Sequence, residues 1–449
     1  MKVSVVGTGY VGLVSGVCLA ERGHSVLCVD ADPDKVAMIN AARAPIHEPG
    51  LPELLQRHVG RRLRASADLP AAVAASELTF IAVGTPAADG GIDLRQVERA
   101  AAAIGTALRA IDRYHTVIVK STVIPGTTAG VVRSALEAAS GKQAGRDFGL
   151  GMNPEFLTEG TAVDDFMNPD RLVFGGIDAR THGVLEELYA GFDAAVPRIR
   201  TNPGTAEMIK YASNAVLATM VSFANEIARL CAAIGGVDAV EVLQGVHQAS
   251  YFTARRGPER STAGIAAFLL PGCGFGGSCL PKDVAALVGQ ARGLGLEPAL
   301  LQSVLAINRG QADEVMKLIA RHYPAAGGAP SLDGVNVTTL GIAFKPDTDD
   351  VRESPAFPII ARLRAAGARV MAYDPVARSA AHAGLAGVSL AATLEAAVAG
   401  AEIVVLVTRW PEFSRLAGLL RGRARPPLVV DGRRMLEPSA FARYEGIGL

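Results

Sequence analysis

The sequence predicts an α/β protein with two doubly wound parallel-sheet domains joined by a long central helix. Apolar runs alternate with helical patterns up to about residue 200, as expected when helices connect the strands of a parallel sheet. A helical pattern without proline or glycine then covers Thr205–Leu230, and a second alternation of strands and helices follows residue 325. The 449 residues are therefore expected to form three regions, 1–200, 201–325 and 326–449.

The composition excludes several classes of protein. The chain carries 44 basic and 44 acidic residues, so it has no general attraction for nucleic acid or acidic membranes. The five cysteines show no paired spacing, and no uninterrupted apolar run reaches the ~18 residues of a membrane span. The apolar N-terminus is predicted to be the first strand rather than a leader. We therefore expect a cytoplasmic protein with neither nucleic acid nor membrane as a partner.

The first strand and the glycines behind it predict a dinucleotide site. Lys2–Val6 is a short apolar run, followed at once by the motif GTGYVG and a helical pattern. In this motif Gly7 permits a tight turn, Gly9 lets the backbone approach a pyrophosphate, and Gly12 allows helix and strand to pack closely. Asp30 ends the second strand, where a carboxylate binds a ribose hydroxyl and repels a 2′-phosphate. The N-terminal region is therefore predicted to be a Rossmann domain that binds NAD rather than NADP.

Three further strands of this region each end at a polar loop. Because ligands of doubly wound sheets collect at the carboxyl ends of the strands, we expect these loops to converge on one crevice. The strands are predicted at Leu78–Val83, Thr116–Val119 and Phe148–Met152, and the loops at Gly84–Pro86, Lys120–Thr122 and Asn153–Glu155.

The central helical pattern carries two polar residues on one face. Lys210 and Asn214 are four residues apart, so they are neighbours on the surface of a helix. The helix is otherwise strongly apolar, with Ile209, Val216 and Met220 among its residues. The two polar side chains are candidates for lining a site, and an exposed surface pair is the alternative.

The segment GGSCLPKD places one cysteine immediately before a helix. Pro281 suits the first helical position, so Cys279 is expected beside the unpaired amides of the first turn. A helix N-terminus and a neighbouring cation, here Lys282, both lower the pKa of a thiol and favour the nucleophilic thiolate. Asp283 supplies a carboxylate that can act on a proton or a water. The alternative is a buried structural cysteine with Asp283 as a first-turn cap.

The C-terminal region predicts a second Rossmann-like sheet that lacks the dinucleotide motif. Its first strand is followed by FKPDTDDVRES and its last by DGRR, whose cations suit a nucleoside diphosphate. Solvated surface charges are the alternative for each of these cations. The linker is predicted at Ala325–Pro330, and the strands at Val335–Phe344, Ala368–Tyr373, Ile403–Val407 and Leu428–Val430.

Taken in order, these motifs resemble the nucleotide-sugar 6-dehydrogenases, the UDP-glucose and GDP-mannose dehydrogenase family, over essentially the whole chain. The resemblance implies a homodimer around the central helix, and oxidation of the C6 hydroxyl of a nucleotide sugar to a carboxylate with two NAD⁺ and no metal. The UDP-glucose enzymes are resembled most, which implies UDP-glucuronate and polysaccharide biosynthesis. The motifs that carry the resemblance are GTGYVG, VGTP, KSTV, NPEFL, EGTAVDDF, AEMIKYASNA, GFGGSCLPKD, FKPDTDDVRESP and DGRR.

A four-electron oxidation without a released aldehyde needs a covalent tether, which a thiolate supplies as a thiohemiacetal and then a thioester. The resemblance gives this role to Cys279. It also implies oxyanion stabilisation by Lys210 and Asn214, a water held by Thr122 and Asp283, a general base at Glu155, and support of site geometry by Glu159. NAD is expected at Gly7, Gly9, Tyr10, Val11, Gly12, Asp30, Lys35, Thr85, Pro86, Thr122, Glu159 and Arg352. The nucleotide sugar is expected at Glu155, Phe156, Leu157, Lys210, Asn214, Phe275, Gly276, Lys345 and Arg433.

The chain departs from the family pattern at two places. Thr158 stands where many members carry arginine, and the segment at 246–271 is longer than in the family, where it contributes an arginine to the sugar site. Arg255, Arg256 and Arg260 are the candidates to replace that arginine. A solvent-exposed loop with incidental charges is the alternative.

Several functions remain open at this stage. GDP-mannose 6-dehydrogenase shares the same catalytic residues, and dTDP-glucose is a further substrate candidate. An N-acetylhexosamine substrate is disfavoured. Family members that act on such sugars usually replace the phenylalanine and the second glutamate of the PEF segment, which are Phe156 and Glu159 in this chain. A two-electron dehydrogenase of the hydroxyacid type needs no nucleophilic cysteine. An inactive NAD-binding regulator would be expected to lack Cys279, Lys210 or Asp283, and all three are present.

Overall fold

A computed structural model describes residues 1–88, 91–256, 259–325, 330–377 and 382–449. The chain divides into two compact units, Met1–Ser213 and Asn214–Leu449. The predicted division into three regions stays a prediction.

The first unit is built on an eight-stranded sheet with strand order β10-β9-β8-β7-β4-β1-β2-β3. Neighbouring strands are parallel except β8 and β9, which pair antiparallel. Ala87–Ala88 and Gly91–Ile92 form a separate two-stranded ladder. The strands are β1 (Lys2–Val6), β2 (Ser25–Val29), β3 (Leu63–Ser66), β4 (Leu78–Ile81), β5 (Ala87–Ala88), β6 (Gly91–Ile92), β7 (Thr116–Val119), β8 (Gly149–Met152), β9 (Leu172–Gly176) and β10 (Arg198–Thr201). The helices are α1 (Tyr10–Glu21), α2 (Pro33–Asn40), α3 (Leu51–His58), α4 (Leu69–Ala75), α5 (Arg95–Leu108), α6 (Arg133–Ser140), α7 (Ala162–Met167) and α8 (Ala179–Leu188).

Both faces of this sheet are buried. Val5 and Val6 are adjacent on β1 but belong to two different hydrophobic cores, because successive side chains of a strand point to opposite faces. Such burial explains why the strands read as continuous apolar runs rather than as alternating patterns.

A single long helix, α9 (Pro203–Ile234), passes from the first unit into the second. By length and composition alone it is the one helix of the described residues that is apolar enough to cross a membrane, with a mean hydropathy of 1.3 over its most apolar stretch. Core helices meet the same criterion. The polar contacts of Lys210 and Asn214 described below favour a core helix.

The second unit is built on a six-stranded parallel sheet with strand order β15-β14-β13-β16-β17-β18. A hairpin of β11 and β12 lies in the segment before Cys279. The strands are β11 (Thr253–Arg256), β12 (Glu259–Thr262), β13 (Asn336–Leu340), β14 (Arg369–Tyr373), β15 (Ser389–Leu390), β16 (Ile403–Leu406), β17 (Leu428–Asp431) and β18 (Tyr444–Gly446). The helices are α10 (Ala239–His247), α11 (Leu280–Gly293), α12 (Ala299–Arg309), α13 (Gln311–Ala320), α14 (Ala356–Ala365), α15 (Leu394–Val398) and α16 (Leu416–Leu420).

The predicted fold class is confirmed, with two differences in detail. Several predicted strands end earlier than their apolar runs, as at Val83, where the chain has already left the sheet. The strands β3, β5, β6, β9, β10, β15 and β18 and the β11–β12 hairpin were not predicted. Most of the predicted linker, residues 326–329, lies outside the described residues.

Candidate active site

The dinucleotide turn has the backbone that its glycines predict. Gly7 has a φ of +96°, and a Cβ at Gly12 would lie 1.9 Å from the carbonyl oxygen of Gly7, so no larger side chain fits where α1 meets β1. At Gly9, by contrast, a Cβ would meet no atom within 4 Å. The glycine at this position therefore leaves open space beside the first turn of α1, where a pyrophosphate is expected.

Asp30 closes the same turn. Its Oδ2 accepts hydrogen bonds from the amide of Thr8 at 2.8 Å and from the Thr8 hydroxyl at 2.5 Å, and its Oδ1 accepts one from the amide of Asp32. Burial would raise the pKa of Asp30, but these hydrogen bonds and the nearby Lys35 hold that pKa below its usual range. Asp30 is thus an ionised acceptor, as a partner for a ribose hydroxyl must be. The residues present fit NAD.

Two strand-end loops meet as predicted. The hydroxyl of Thr85 donates to the carbonyl oxygen of Thr122 at 2.9 Å, and the hydroxyl of Ser121 donates to that of Val83 at 2.7 Å. These contacts join the loop after β4 to the loop after β7. Pro86 follows Thr85 in the first of these loops.

The loop after β8 carries a buried ion pair. Lys210 Nζ lies 3.0 Å from Glu155 Oε1, and both side chains are 5% exposed. The amide of Leu157 donates to Glu155 Oε2 at 2.7 Å, and Lys210 Nζ lies 5.6 Å from the centre of the Phe156 ring. Burial would raise the pKa of Glu155, but Lys210, the Leu157 amide and Lys120 hold that pKa below its usual range. The structure therefore brings three other predicted substrate residues, Phe156, Leu157 and Lys210, together with the ionised carboxylate of Glu155.

A second buried lysine, Lys120, lies in this region; the sequence placed it in a loop at the crevice but predicted neither its burial nor its contacts. Lys120 Nζ donates to Asn153 Oδ1 at 2.9 Å, and that oxygen also accepts from the hydroxyl of Tyr189 at 2.6 Å. Burial lowers the pKa of Lys120 to about 8. Lys120 and Glu155 line the same cavity of about 250 Å³. The available signal was a lysine directly after the predicted strand Thr116–Val119.

The second unit carries the thiol. Cys279 is the exposed residue immediately before α11, and its carbonyl oxygen accepts from the amide of Asp283 at 2.8 Å. The helix begins at Leu280, so Pro281 occupies its second position rather than the predicted first. The predicted place of the thiol beside the first turn is otherwise as observed.

Asp283 is held from two sides within this unit. Its Oδ2 accepts from Asn214 Nδ2 at 2.6 Å, and its Oδ1 lies 2.6 Å from Lys282 Nζ. Asn214 and Asp283 are both buried. Because a buried carboxylate is stabilised by such donors, Asp283 is fixed one helical turn from Cys279. The predicted cation Lys282 makes its ion pair with Asp283.

The remaining predicted substrate residues share one pocket of the second unit. Phe275, Gly276, Lys345 and Arg433 line a pocket of about 310 Å³. A Cβ at Gly276 would lie 2.3 Å from the carbonyl oxygen of Glu353, so the GFGG loop packs closely on the segment after β13. Arg433 Nη1 donates to the carbonyl oxygen of Gly274 at 3.2 Å. Arg409 also lines this pocket, and a pocket with three cations and several aromatic rings suits a nucleoside diphosphate.

The remaining predicted residues that the structure describes lie outside the two pockets, and the side chains of two others lie outside the described residues. Arg352 forms a two-pronged ion pair with Asp350, and its predicted contact with NAD stays a prediction. Glu159 lies half-buried before Gly160, and its electrostatic influence reaches Tyr10. The side chains of Arg255 and Arg256 lie outside the described residues, whereas Arg260 is exposed on β12.

A Rossmann sheet with this turn and this ionised carboxylate is typical of NAD-dependent oxidoreductases. The chain belongs to the UDP-glucose/GDP-mannose dehydrogenase family. It matches the family's NAD binding domain at residues 1–193, its central domain at 204–310 and its UDP binding domain at 338–438. The predictions of the family, the fold class and NAD as cofactor are thereby confirmed.

The relatives include enzymes of two substrate types. The chain is 42% identical to a UDP-glucose 6-dehydrogenase of Haloferax volcanii over 100% of both chains. It is also 42% identical to a GDP-mannose 6-dehydrogenase of Pseudomonas aeruginosa, over 83% of this chain and 81% of that protein. A solved UDP-glucose dehydrogenase of Pyrobaculum islandicum, 40% identical, superposes with a TM-score of 0.89 over 100% of this chain and 97% of that one. The chain is therefore a nucleotide-sugar 6-dehydrogenase.

Proposed function

We propose that this chain oxidises the C6 hydroxyl of UDP-glucose to the carboxylate of UDP-glucuronate in two steps on Cys279. The observation that carries the proposal is the exposed thiol at the start of α11, with Asp283 fixed one turn away by Asn214 and Lys282. A simple two-electron alcohol oxidation needs no such thiol.

Held at the turn of Gly7, Gly9 and Gly12, NAD⁺ would supply the hydride acceptor for both oxidations. In the first oxidation, Glu155 takes the proton of the C6 hydroxyl and C6 gives up one hydride, which leaves an aldehyde. The Cys279 thiolate adds to the aldehyde carbon, and the resulting thiohemiacetal gives up a second hydride from C6 to become a thioester. Water held by Thr122 and Asp283 then adds to the thioester, the carbon–sulfur bond breaks to release the carboxylate and the Cys279 thiolate, and the two protons of the water pass to solvent.

The chain's own charges suit the negative charge that develops in these steps. Lys210 is a buried cation, and buried donors stabilise an oxyanion more strongly than donors in water. Asn214 is a neutral donor one helical turn further along α9. Glu155 is ionised, as a general base must be.

UDP-glucose is favoured over GDP-mannose by a small margin of identity over the full chain. The UDP-glucose relative from Haloferax volcanii is 42% identical over 100% of this chain, and a GDP-mannose 6-dehydrogenase of Pseudomonas putida is 39% identical over the same share. Because this margin is only three percentage points, GDP-mannose is the second candidate.

We also propose a cytoplasmic homodimer. Apolar residues exposed along α9, Val216, Phe223 and Leu230, are suited to such an interface.

The stoichiometry of NADH tests the reaction class. Because each oxidation transfers one hydride, each UDP-glucose consumed should yield two NADH, and NAD⁺ should be preferred over NADP⁺ because of Asp30. We would measure NADH absorbance against sugar nucleotide consumed, using UDP-glucose, GDP-mannose and dTDP-glucose in parallel. One NADH per sugar with free aldehyde would contradict the thioester mechanism, and faster turnover of GDP-mannose would replace the proposed substrate.

The arginines of the long segment before Cys279 give a second prediction. The β11–β12 hairpin pairs Arg255 with Arg260 in register, and a nucleotide sugar needs cations and hydrogen-bond donors around it. Alanine at Arg255, Arg256 or Arg260 should raise the KM for the preferred sugar nucleotide by about tenfold or more, the cost of one lost charge-assisted hydrogen bond. Arg146→Ala, at an exposed arginine paired with Asp147, is the control. KM values within about twofold for all three variants would assign the segment another role.

A further inference from the structure

Glu48 is a buried carboxylate that neither the sequence motifs nor the proposed reaction uses. It lies in the connection between α2 and α3 and is 2% exposed. Its oxygens accept from the amide of Gly160 at 2.7 Å, from the amide of Ala162 at 2.8 Å, and from the hydroxyl of Tyr10 in a short hydrogen bond. A buried carboxylate is kept only where donors satisfy it, and here the donors come from two other parts of the chain.

One of these parts is the dinucleotide turn. Tyr10 is the first residue of α1 and follows Gly9 directly. Its hydroxyl donates to Glu48 and accepts from the amide of Gly160 at 3.0 Å. Burial and the hydrogen bond to Glu48 raise the pKa of Tyr10. The phenol therefore stays a protonated donor, and the turn that is expected to hold the pyrophosphate is tied to Glu48.

The other part is the end of the loop that carries the ion pair. Gly160 closes the loop 153–160, in which Glu155 pairs with Lys210, and α7 begins at Ala162. The side chain of Thr161, which precedes α7, does not cap the free amides of this helix. Glu48 does so instead, from more than a hundred residues away in sequence. All of these residues belong to the first unit.

We propose that Glu48 and Tyr10 are positioning residues that couple NAD⁺ binding to the order of the loop 153–160. A cofactor that fixes the turn at Gly9 and Tyr10 fixes Glu48, and Glu48 fixes the backbone that follows Glu155 and Glu159. The coupling itself rests only on NAD being the cofactor. Its consequence rests on the proposed function: with two NAD⁺ used per sugar, the loop would tighten anew for each oxidation.

Hydrogen exchange of the full chain with NAD⁺ alone tests the coupling. Peptides covering residues 156–167 contain the amides of Gly160 and Ala162. In the unaltered chain, saturating NAD⁺ should slow their exchange by at least about fivefold, the lower end of measured couplings between sites. In Tyr10→Phe this slowing should fall below about twofold at NAD⁺ concentrations that calorimetry shows to be saturating.

Two further variants make the test specific. Glu48→Gln replaces one acceptor oxygen by a donor and should also lose the slowing, which keeps the proposal testable if Tyr10→Phe does not fold. Tyr189→Phe removes the hydroxyl that contacts Asn153 at the other end of the same loop and should keep it. The proposal is overturned if NAD⁺ does not slow exchange in the unaltered chain, if Tyr10→Phe and Glu48→Gln keep the slowing, or if Tyr189→Phe loses it. No sugar nucleotide is present, so a wrong substrate assignment leaves the result unchanged.

Discussion

Replacing Cys279 with serine is expected to abolish turnover while leaving both ligands bound. The thiol is exposed at the start of α11 and contributes nothing to a hydrophobic core, so the substitution should not unfold the chain. A serine hydroxyl is far less ionised than a thiol and forms an ester that hydrolyses slowly. We expect kcat to fall by about a thousandfold or more, as when other catalytic nucleophiles are removed.

The measurement pairs steady-state NADH production with calorimetric binding of NAD⁺ and UDP-glucose. Cys231→Ala is the matched control, because Cys231 is buried in the hydrophobic core of the second unit and is remote in role from the reaction. That variant should lose some stability and keep its turnover number. Near-normal turnover in Cys279→Ser would show that the cysteine is structural and would remove the proposed tether.

Those parts of the fold that depend on local pattern could be predicted from the sequence. The apolar run Lys2–Val6, the glycines behind it and Asp30 are close in sequence, and each has a local steric or charge requirement. Gly12 is an example, because a Cβ there would collide with Gly7, only five residues earlier. The start of α11 was predicted within one residue for the same reason: Pro281 restricts the backbone locally.

The partners of buried polar groups could not be predicted in this way. Lys210 was paired with Asn214 because they share a helix face, yet Lys210 contacts Glu155, and Asn214 contacts Asp283, 69 residues away in sequence. Glu48 reaches Gly160 across 112 residues. Such contacts are decided by how strands are ordered in the sheet, which no local pattern specifies. Lys120 was placed in a loop at the crevice but was given no role, because a single lysine after a strand is usually a solvated loop residue.

Lys210→Ala is expected to lower kcat by about two to three orders of magnitude, the usual cost of a lost oxyanion donor, with a much smaller effect on sugar-nucleotide affinity. It should also change the pH dependence. Burial favours the protonated form of Glu155, and Lys210 is the largest opposing influence on its pKa, so that pKa should rise in the variant. The acidic limb of kcat/KM, which follows ionisation of the general base, should move to higher pH. Lys210→Arg keeps the charge and should leave this limb close to its original position.

Measurements of thermal stability separate the catalytic role of Lys210 as an oxyanion donor from its structural role in the ion pair with Glu155. A carboxyl group whose folded pKa is depressed stabilises the fold above its unfolded pKa of about 4.3, and this stabilisation is lost as the pH falls through the folded pKa. Lys210→Ala removes that contribution and leaves Glu155 buried without its cation, which costs about 3–5 kcal/mol when one partner of a buried pair is deleted. Adding Glu155→Gln should restore much of the thermal midpoint but none of the turnover. Lys317→Ala, at a lysine 69% exposed, should change neither. If Lys210→Ala altered only the KM for the sugar nucleotide, with kcat and the pH profile unchanged, Lys210 would be a binding residue and the oxyanion would need another donor.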